Sequence, residues 1–541
     1  MKLYYFLPLV MVLCCCKSER TSVNDSRPNI LLIVADDLGY SDLGSFGGEI
    51  STPNIDQLAS QGLSFGRFHT GPMCAVSRAM LLTGNDNHIA GMGSQDLQTD
   101  EFGYEGFLTD RVIPLPEILR QVGYFTAMVG KWHLGNKPEH YPNRKGFDQS
   151  FVLLEGGANH YSSKGLWRED PISPYVEDGQ KSTWMEGDYS TDFYTSKLIQ
   201  YLDKRVRKEQ PFFAFASYTS PHWPLQVDAS YWGKYKGIYD KGYESLKNQR
   251  FENLKSLGLL PTDAVLPPSH HRVKPWDSLN NQEQMKEARK MEIYAGMVDN
   301  LDANVGRLMD YMKEEKQYEN TVIIFLSDNG AAGNDFYNHP YFRDFLQANY
   351  TDDYEQMGSK ESFISYGPQW AEAGAAPFKY FKGYTTQGGI NSPMIITGPG
   401  VLHKGSMTNV FASIMDIAPT CYEYAKTQYL ENLNGSKDYP IKGASMNDLL
   451  SMKKETVHQA DYVFAIEHRE NAMVRKGKWK LLNIEKPFNE DNFQLFDLTT
   501  DLAEQVNLRK IEPLVFQDLL SEWRKYREEV KAQFPTPKST K

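Results

Sequence analysis

The 541-residue sequence predicts an α/β protein: a large mixed, mostly parallel sheet sandwiched by helices, then a small C-terminal antiparallel sheet with a helix. Three observations predict it. Apolar runs at 29–35, 211–217 and 321–327, rich in Ile, Val, Leu and Phe, give way abruptly to polar residues, as central strands buried on both faces do. Helical patterns separate the runs, and alternating strands and helices build a parallel sheet covered on both sides. Beyond about residue 430 the pattern changes to short strand-like segments.

The first sixteen residues stand apart. Lys2, an apolar stretch over 3–13 and then Cys14, Cys15 and Cys16 are too short to span a bilayer and read as a signal peptide. Leu13, three residues before Cys16 with small residues between, resembles a bacterial lipoprotein box, so an acylated Cys16 would anchor the exported chain in an envelope membrane, at the periplasm or the cell surface. Secretion with all three cysteines discarded is the competing reading. Residues 17–27 form a polar tether.

Residues 28–430 are expected to form a catalytic domain. Helical patterns fall at 55–61, 116–121, 191–202 and 294–312. The polar, Lys-rich stretch 226–289 and the aromatic, acidic stretch 331–377 read as long excursions from the sheet, and insertions of that length usually carry function. Residues 431–541 are expected to form a C-terminal subdomain, with strands at 462–468, 472–474, 479–483 and 494–497 and a helix over 511–532.

A formal net charge of −11 with no Lys/Arg stripe argues against nucleic acid as a partner, so an anionic substrate would need a local cluster of cations. Past the leader only Cys74 and Cys421 remain, which is no disulfide framework. A disulfide between them is the bland reading of Cys74.

In open α/β sheets, residues just past the carboxyl ends of the strands meet in one crevice, and Asp36, Asp37, His222, Asp328 and Asn329 all occupy that position. Three carboxylates and an amide oxygen brought together call for a cation, and all-oxygen ligation suits calcium or magnesium better than zinc. Taken singly, each acidic pair would more often cap a helix.

Cys74 lies in the segment Gly71-Pro72-Met73-Cys74-Ala75-Val76-Ser77-Arg78, with Leu81-Leu82-Thr83-Gly84 after it, and Arg78 is one helical turn beyond the cysteine. This segment resembles the signature of the type I (formylglycine-dependent) sulfatases of the alkaline phosphatase superfamily, in which the cysteine is oxidised to formylglycine. Val76 departs from the proline or alanine usual two residues after the cysteine, in the stretch that the modifying enzyme reads. Further motifs follow in the family's order: Ser51-Thr52-Pro53-Asn54, Gly130-Lys131-Trp132-His133, Pro221-His222-Trp223-Pro224, Ser327-Asp328-Asn329-Gly330 and Lys382-Gly383. Lys234-Tyr235-Lys236-Gly237 and Ser365-Tyr366-Gly367-Pro368 are similar to the bacterial arylsulfatase branch. Gln387 and Asn391 replace the glutamate and arginine usual in the late lysine motif, a change expected to alter substrate-side contacts.

The resemblance implies an alkaline phosphatase-like fold and a Ca2+ ion held by Asp36, Asp37, Asp328, Asn329 and an oxygen of modified Cys74. It implies formylglycine, made from Cys74 by a maturase partner, as the nucleophile, activated by the metal and Arg78. Lys131 and Lys382 would hold the sulfate oxygens, and His133 and His222 would share the proton work, without the spacing saying which is base and which is acid. The expected reaction is hydrolysis of an aryl sulfate or a sulfated carbohydrate. Two alternatives stay open: a phosphoester or phosphonate hydrolase on the same scaffold, and a lipoprotein that binds sulfated glycans without turning them over should Cys74 stay unconverted.

Overall fold

The computed structural model describes residues 27–184, 187–429 and 439–533; the leader, most of the tether and the end of the chain lie outside the described residues. Eleven strands make the main sheet: β1 (Asn29–Ala35), β2 (Leu63–His69), β3 (Phe125–Lys131), β4 (Gln149–Leu153), β5 (Tyr175–Glu177), β6 (Gln180–Ser182), β7 (Phe212–Ser217), β8 (Thr321–Ser327), β9 (Asn391–Thr397), β10 (Ser406–Thr408) and β11 (Ala412–Ser413). Their order is β10-β2-β9-β8-β1-β7-β3-β4-β5-β6, with β11 also on β2. The run β8-β1-β7-β3-β4 is parallel, whereas β9 lies antiparallel to both β8 and β2, so the sheet is mixed and mostly parallel as expected.

The apolar runs follow from burial on both faces. In β1, Ile30, Leu32 and Val34 join the core on one side of the sheet, while Leu31, Ile33 and Ala35 join the core on the other. With no solvent-facing position, the strand loses the polar alternation of a half-buried strand.

The long helix Asn281–Glu314 opens on a full capping box, in which Asn280 and Glu283 satisfy each other's backbone N–H groups. It starts well before the expected 294, so the last part of the excursion 226–289 is helix. Polar residues in its first turns lack the apolar periodicity that marks the rest. That excursion also holds the helix Gly242–Ser256.

Four C-terminal strands, β12 (Val463–His468), β13 (Asn471–Lys476), β14 (Trp479–Asn483) and β15 (Gln494–Asp497), form an antiparallel meander, and the helix Pro513–Val530 packs on it. A buried Lys480–Glu504 pair at 2.6 Å helps seat this layer, Lys480 also donating to the carbonyl of Thr385 at 2.7 Å. Cys74 and Cys421 are both free and buried, so the disulfide alternative does not hold.

Candidate active site

The parallel strands deliver their following residues to one edge. Asp36 and Asp37 come from the end of β1, with Asp37 in the left-handed region (φ 66°), and Asp328 and Asn329 come from the adjoining end of β8. The backbone N–H of Asp37 donates to Asp328 Oδ1 at 3.2 Å, and Asn329 Nδ2 donates to Asp37 Oδ1 at 2.6 Å, which locks the two strand ends together. Lys131 closes β3 and His133 follows it, in the left-handed region at φ 58°.

Cys74 is the first residue of the helix Cys74–Thr83, whose ten residues are all buried and which Gly84 ends. Met73 provides no side-chain cap, and Gln95 Oε1 accepts from the Ala75 N–H at 3.4 Å, so the helix dipole favours negative charge beside Cys74. The sulfur lies 3.4 Å from Asp36 Oδ1, 3.6 Å from Asp37 Oδ1 and 3.0 Å from Lys382 Nζ. Burial pushes the Cys74 thiol well above its usual range in spite of Lys131 and Lys382, so the thiol itself is protonated at neutral pH.

Each carboxylate is answered by a cation of the chain. Lys131 lies 2.7 and 2.9 Å from the oxygens of Asp36, and Lys382 lies 2.7 and 2.8 Å from those of Asp37. Arg78 holds Asp328 through Nε at 3.0 Å and Nη2 at 2.9 Å, and donates Nη1 to the carbonyl of Lys131 and to Ser217 Oγ. Burial would raise the Asp37 carboxyl, but Lys382, His222 and Lys131 outweigh it and hold Asp37 well below the carboxylate range. Asp328 goes the other way: burial and then the Asp36 charge raise it against Arg78 and Lys131.

His222 places Nε2 3.4 Å from Asp37 Oδ2, with Nδ1 2.7 Å from the carbonyl of Trp223. His133 Nδ1 is buried and has no hydrogen-bond partner among the described residues. Burial and the neighbouring cations lower both imidazoles well below their usual range, although Asp37 partly offsets this for His222, so both are neutral at pH 7. Two glycines past β4 make room for the rings: a Cβ on Gly156 would sit 2.7 Å from His133 Cε1, and one on Gly157 would sit 3.1 Å from His222 Cε1.

Every sequence-predicted site residue is therefore in one constellation, and Cys74, His133, His222 and Lys382 open onto a cavity of about 620 Å³. Ligand atoms of Asp36, Asp37, Cys74 and His222 lie within 4.8 Å of one another. Asn329 Oδ1 is buried and accepts no hydrogen bond among the described residues. An orphaned hard acceptor beside clustered carboxylates fits an oxygen-ligated cation.

Sequence reasoning missed Ser217, which anchors Arg78, and the Gly156-Gly157 seat; neither residue type signals such a role on its own. The expectation for Gln387 and Asn391 needs correcting. Gln387 Oε1 pairs with His69 Nε2 at 3.0 Å and Asn391 donates to the carbonyl of Gly66 at 3.1 Å, contacts internal to the fold, and neither residue lines the cavity. His88 pairs with Glu467 of the C-terminal sheet at 3.0 Å and with Asp86, away from Cys74.

The chain is similar to known proteins. A family model described as Sulfatase matches residues 28–427. An uncharacterized sulfatase of Schizosaccharomyces pombe is 39% identical, over 93% of this chain and 94% of its own. An arylsulfatase of Klebsiella aerogenes is 37% identical, over 80% of this chain and 94% of its own. Among solved structures, Ps i-CgsB in complex with k-i-k-neocarrahexaose superposes with a TM-score of 0.68 at 26% identity, covering 94% of both chains. A phosphonate monoester hydrolase of Agrobacterium radiobacter shares the fold, with a TM-score of 0.56 at 17% identity over 93% of this chain and 96% of its own.

Proposed function

The chain belongs to the sulfatase family, and from that premise we propose that it hydrolyses sulfate esters through a formylglycine made from Cys74 and a bound calcium ion. The observation that carries the reading is the position of Cys74: first residue of a helix, in contact with Asp36, Asp37 and Lys382, at the floor of the cavity.

Asp36, Asp37, Asp328 and Asn329 would hold the cation, which supplies positive charge for the nucleophile and for a sulfate oxygen. Formylglycine in place of the Cys74 thiol would supply the oxygen nucleophile and, through its aldehyde carbon, a way to release sulfate. The chain's own residues do the rest. Lys131 and Lys382, whose ammonium groups lie on Asp36 and Asp37, would hold the sulfate oxygens, over which negative charge spreads in the reaction. Arg78 stays on Asp328 and fixes the carboxylate. The neutral imidazoles of His133 and His222 are suited to accept a proton at the modified residue and, once protonated, to donate one to the leaving oxygen.

The phosphonate hydrolase likeness makes phosphoester hydrolysis the alternative to test. The paired assay uses 4-nitrophenyl sulfate and 4-nitrophenyl phosphate on protein matured in a host with a formylglycine-generating system. The sulfate should be turned over with the larger kcat/KM, and preference for phosphate would reverse the assignment. Calcium added to chelator-treated protein should raise the melting temperature, the stabilisation reaching about 2.7 kcal/mol at 100 times Kd. Asp328→Asn should lose that shift, and a shift retained in the variant would place the ion elsewhere.

A further inference from the structure

The cavity above Cys74 has an aromatic wall and, among the described residues, a lining arginine, Arg272, that forms no ion pair. Trp223 and Phe336 pack at 4.6 Å between ring centroids, Phe336 and Phe342 at 4.8 Å, and Trp167 bridges Trp223 and Phe342 at 5.8 and 5.2 Å. Among the cations that line it, Lys382 is engaged with Asp37 and Arg469 with Asp96. Arg272 also lines it, and among the described residues it forms no ion pair and its guanidinium makes no hydrogen bond.

The backbone of Arg272 is held in place. Its backbone N–H donates to His270 Nδ1 at 3.2 Å, and buried His270 is fixed in turn by Glu372 and by the Tyr384 hydroxyl at 3.0 Å. The guanidinium lies 5.6 Å from the Phe381 ring, the residue next to Lys382. The acids of the lining do not cancel it. Asp96 is spent on Arg469, and burial, with Asp170 beside it, pushes Glu155 up to about 8, so Glu155 is largely uncharged at neutral pH.

We propose that the cavity takes a sugar ring carrying a second anionic group besides the sulfate ester to be cleaved, and that Arg272 binds that second anion. The inference rests on the sulfatase reading and gives it a substrate class. The aromatic wall suits the C–H face of a sugar ring. Gln95, Gln98, Asn136 and Asn334 line the same space with carboxamides, which answer hydroxyl groups that a phenyl ring does not have. A planar guanidinium lining the same cavity as Lys382 is the side chain best shaped to grip a second sulfate or a carboxylate through two hydrogen bonds.

Isothermal titration calorimetry with glucosamine 6-sulfate and with N-sulfoglucosamine 6-sulfate, which differ by one sulfate on the same ring, tests this. The full-length protein should bind the disulfate at least about 10-fold more tightly, a difference of roughly 1.4 kcal/mol. Arg272→Ala should bring the two affinities within about twofold, and Arg272→Lys, which keeps the charge but not the fork, should keep part of the preference. The melting temperature of Arg272→Ala should match that of the unsubstituted protein, because the side chain is exposed. Equal affinities in the unsubstituted protein, or a preference that survives in Arg272→Ala, would overturn the proposal. Failure of the unsubstituted protein to cleave 4-nitrophenyl sulfate would count against the sulfatase reading instead, and the calorimetric comparison would still stand on its own.

Discussion

Cys74→Ala is expected to remove sulfate-ester hydrolysis, by about four orders of magnitude or more in kcat/KM, because it deletes the group that becomes the nucleophile. The fold should survive. The cysteine side chain is small and its contacts are the polar atoms of Asp36, Asp37 and Lys382 rather than core packing, so stability should change by no more than about 1 kcal/mol. Cys74→Ser is the sharper variant, since it puts a hydroxyl beside the same carboxylates and the same lysine but has no carbonyl to hydrate. A serine that matched the unsubstituted enzyme through many turnovers would mean that an ordinary hydroxyl suffices. Steady-state hydrolysis of 4-nitrophenyl sulfate by the three proteins, matured side by side, reads the difference.

Arg78→Ala is expected to damage both stability and activity. Its guanidinium is 1% exposed, makes two contacts of about 3 Å with Asp328, and ties Lys131 and Ser217 to the floor of the site. Burial alone would lower the Arg78 pKa, yet Asp328 and Asp36 raise it, so the guanidinium is charged at any working pH and the pair is ionic. Removing one partner of such a pair leaves a buried carboxylate without its cation, which typically costs about 3–5 kcal/mol. Denaturant unfolding should show that loss as a lower midpoint. Arg78→Lys restores charge but cannot reach Asp328, Lys131 and Ser217 from one planar group, so it should recover stability only in part. If Arg78→Ala unfolds like the unsubstituted protein, the guanidinium is not the strut that the geometry makes it.

Much of this site is legible in the sequence because the fold turns it into a pattern. A parallel sheet buried on both faces writes its central strands as unbroken apolar runs, and the crevice at their carboxyl ends makes the next residues the ones to read. Asp36-Asp37 after β1 and Asp328-Asn329 after β8 are found that way, and β1 and β8 are indeed neighbours. Strands β2 and β9 are not legible by the same rule. β2 reads Leu63-Ser-Phe-Gly-Arg-Phe-His69 and carries an irregular register against β9, while β9 contains Pro393, so neither presents a clean run. The long helix is legible only from its apolar middle; its start needs the Asn280–Glu283 capping box, which polar sequence hides.

The finer electrostatics are less legible still. From the sequence, three carboxylates ask for a metal; in the structure Arg78, Lys131 and Lys382 answer them one for one, so charge alone does not decide the question. The orphaned Asn329 oxygen and the packing of Asp36, Asp37, Cys74 and His222 carry that argument instead. Gln387 and Asn391 show the opposite limit. A departure within a motif looks like a change of function, but those side chains face the interior of the fold and serve its packing.

The measurement that tests the central claim most directly is the mass of the peptide spanning Cys74, from protein produced with an active formylglycine-generating system, with Val76 left in place. Conversion of the thiol to the aldehyde, seen as a peptide about 18 Da lighter than the unmodified one and tracking sulfatase turnover, is the predicted result. An unmodified thiol, beside a control sulfatase converted in the same cells, would contradict it and favour a protein that holds sulfated glycans without cleaving them.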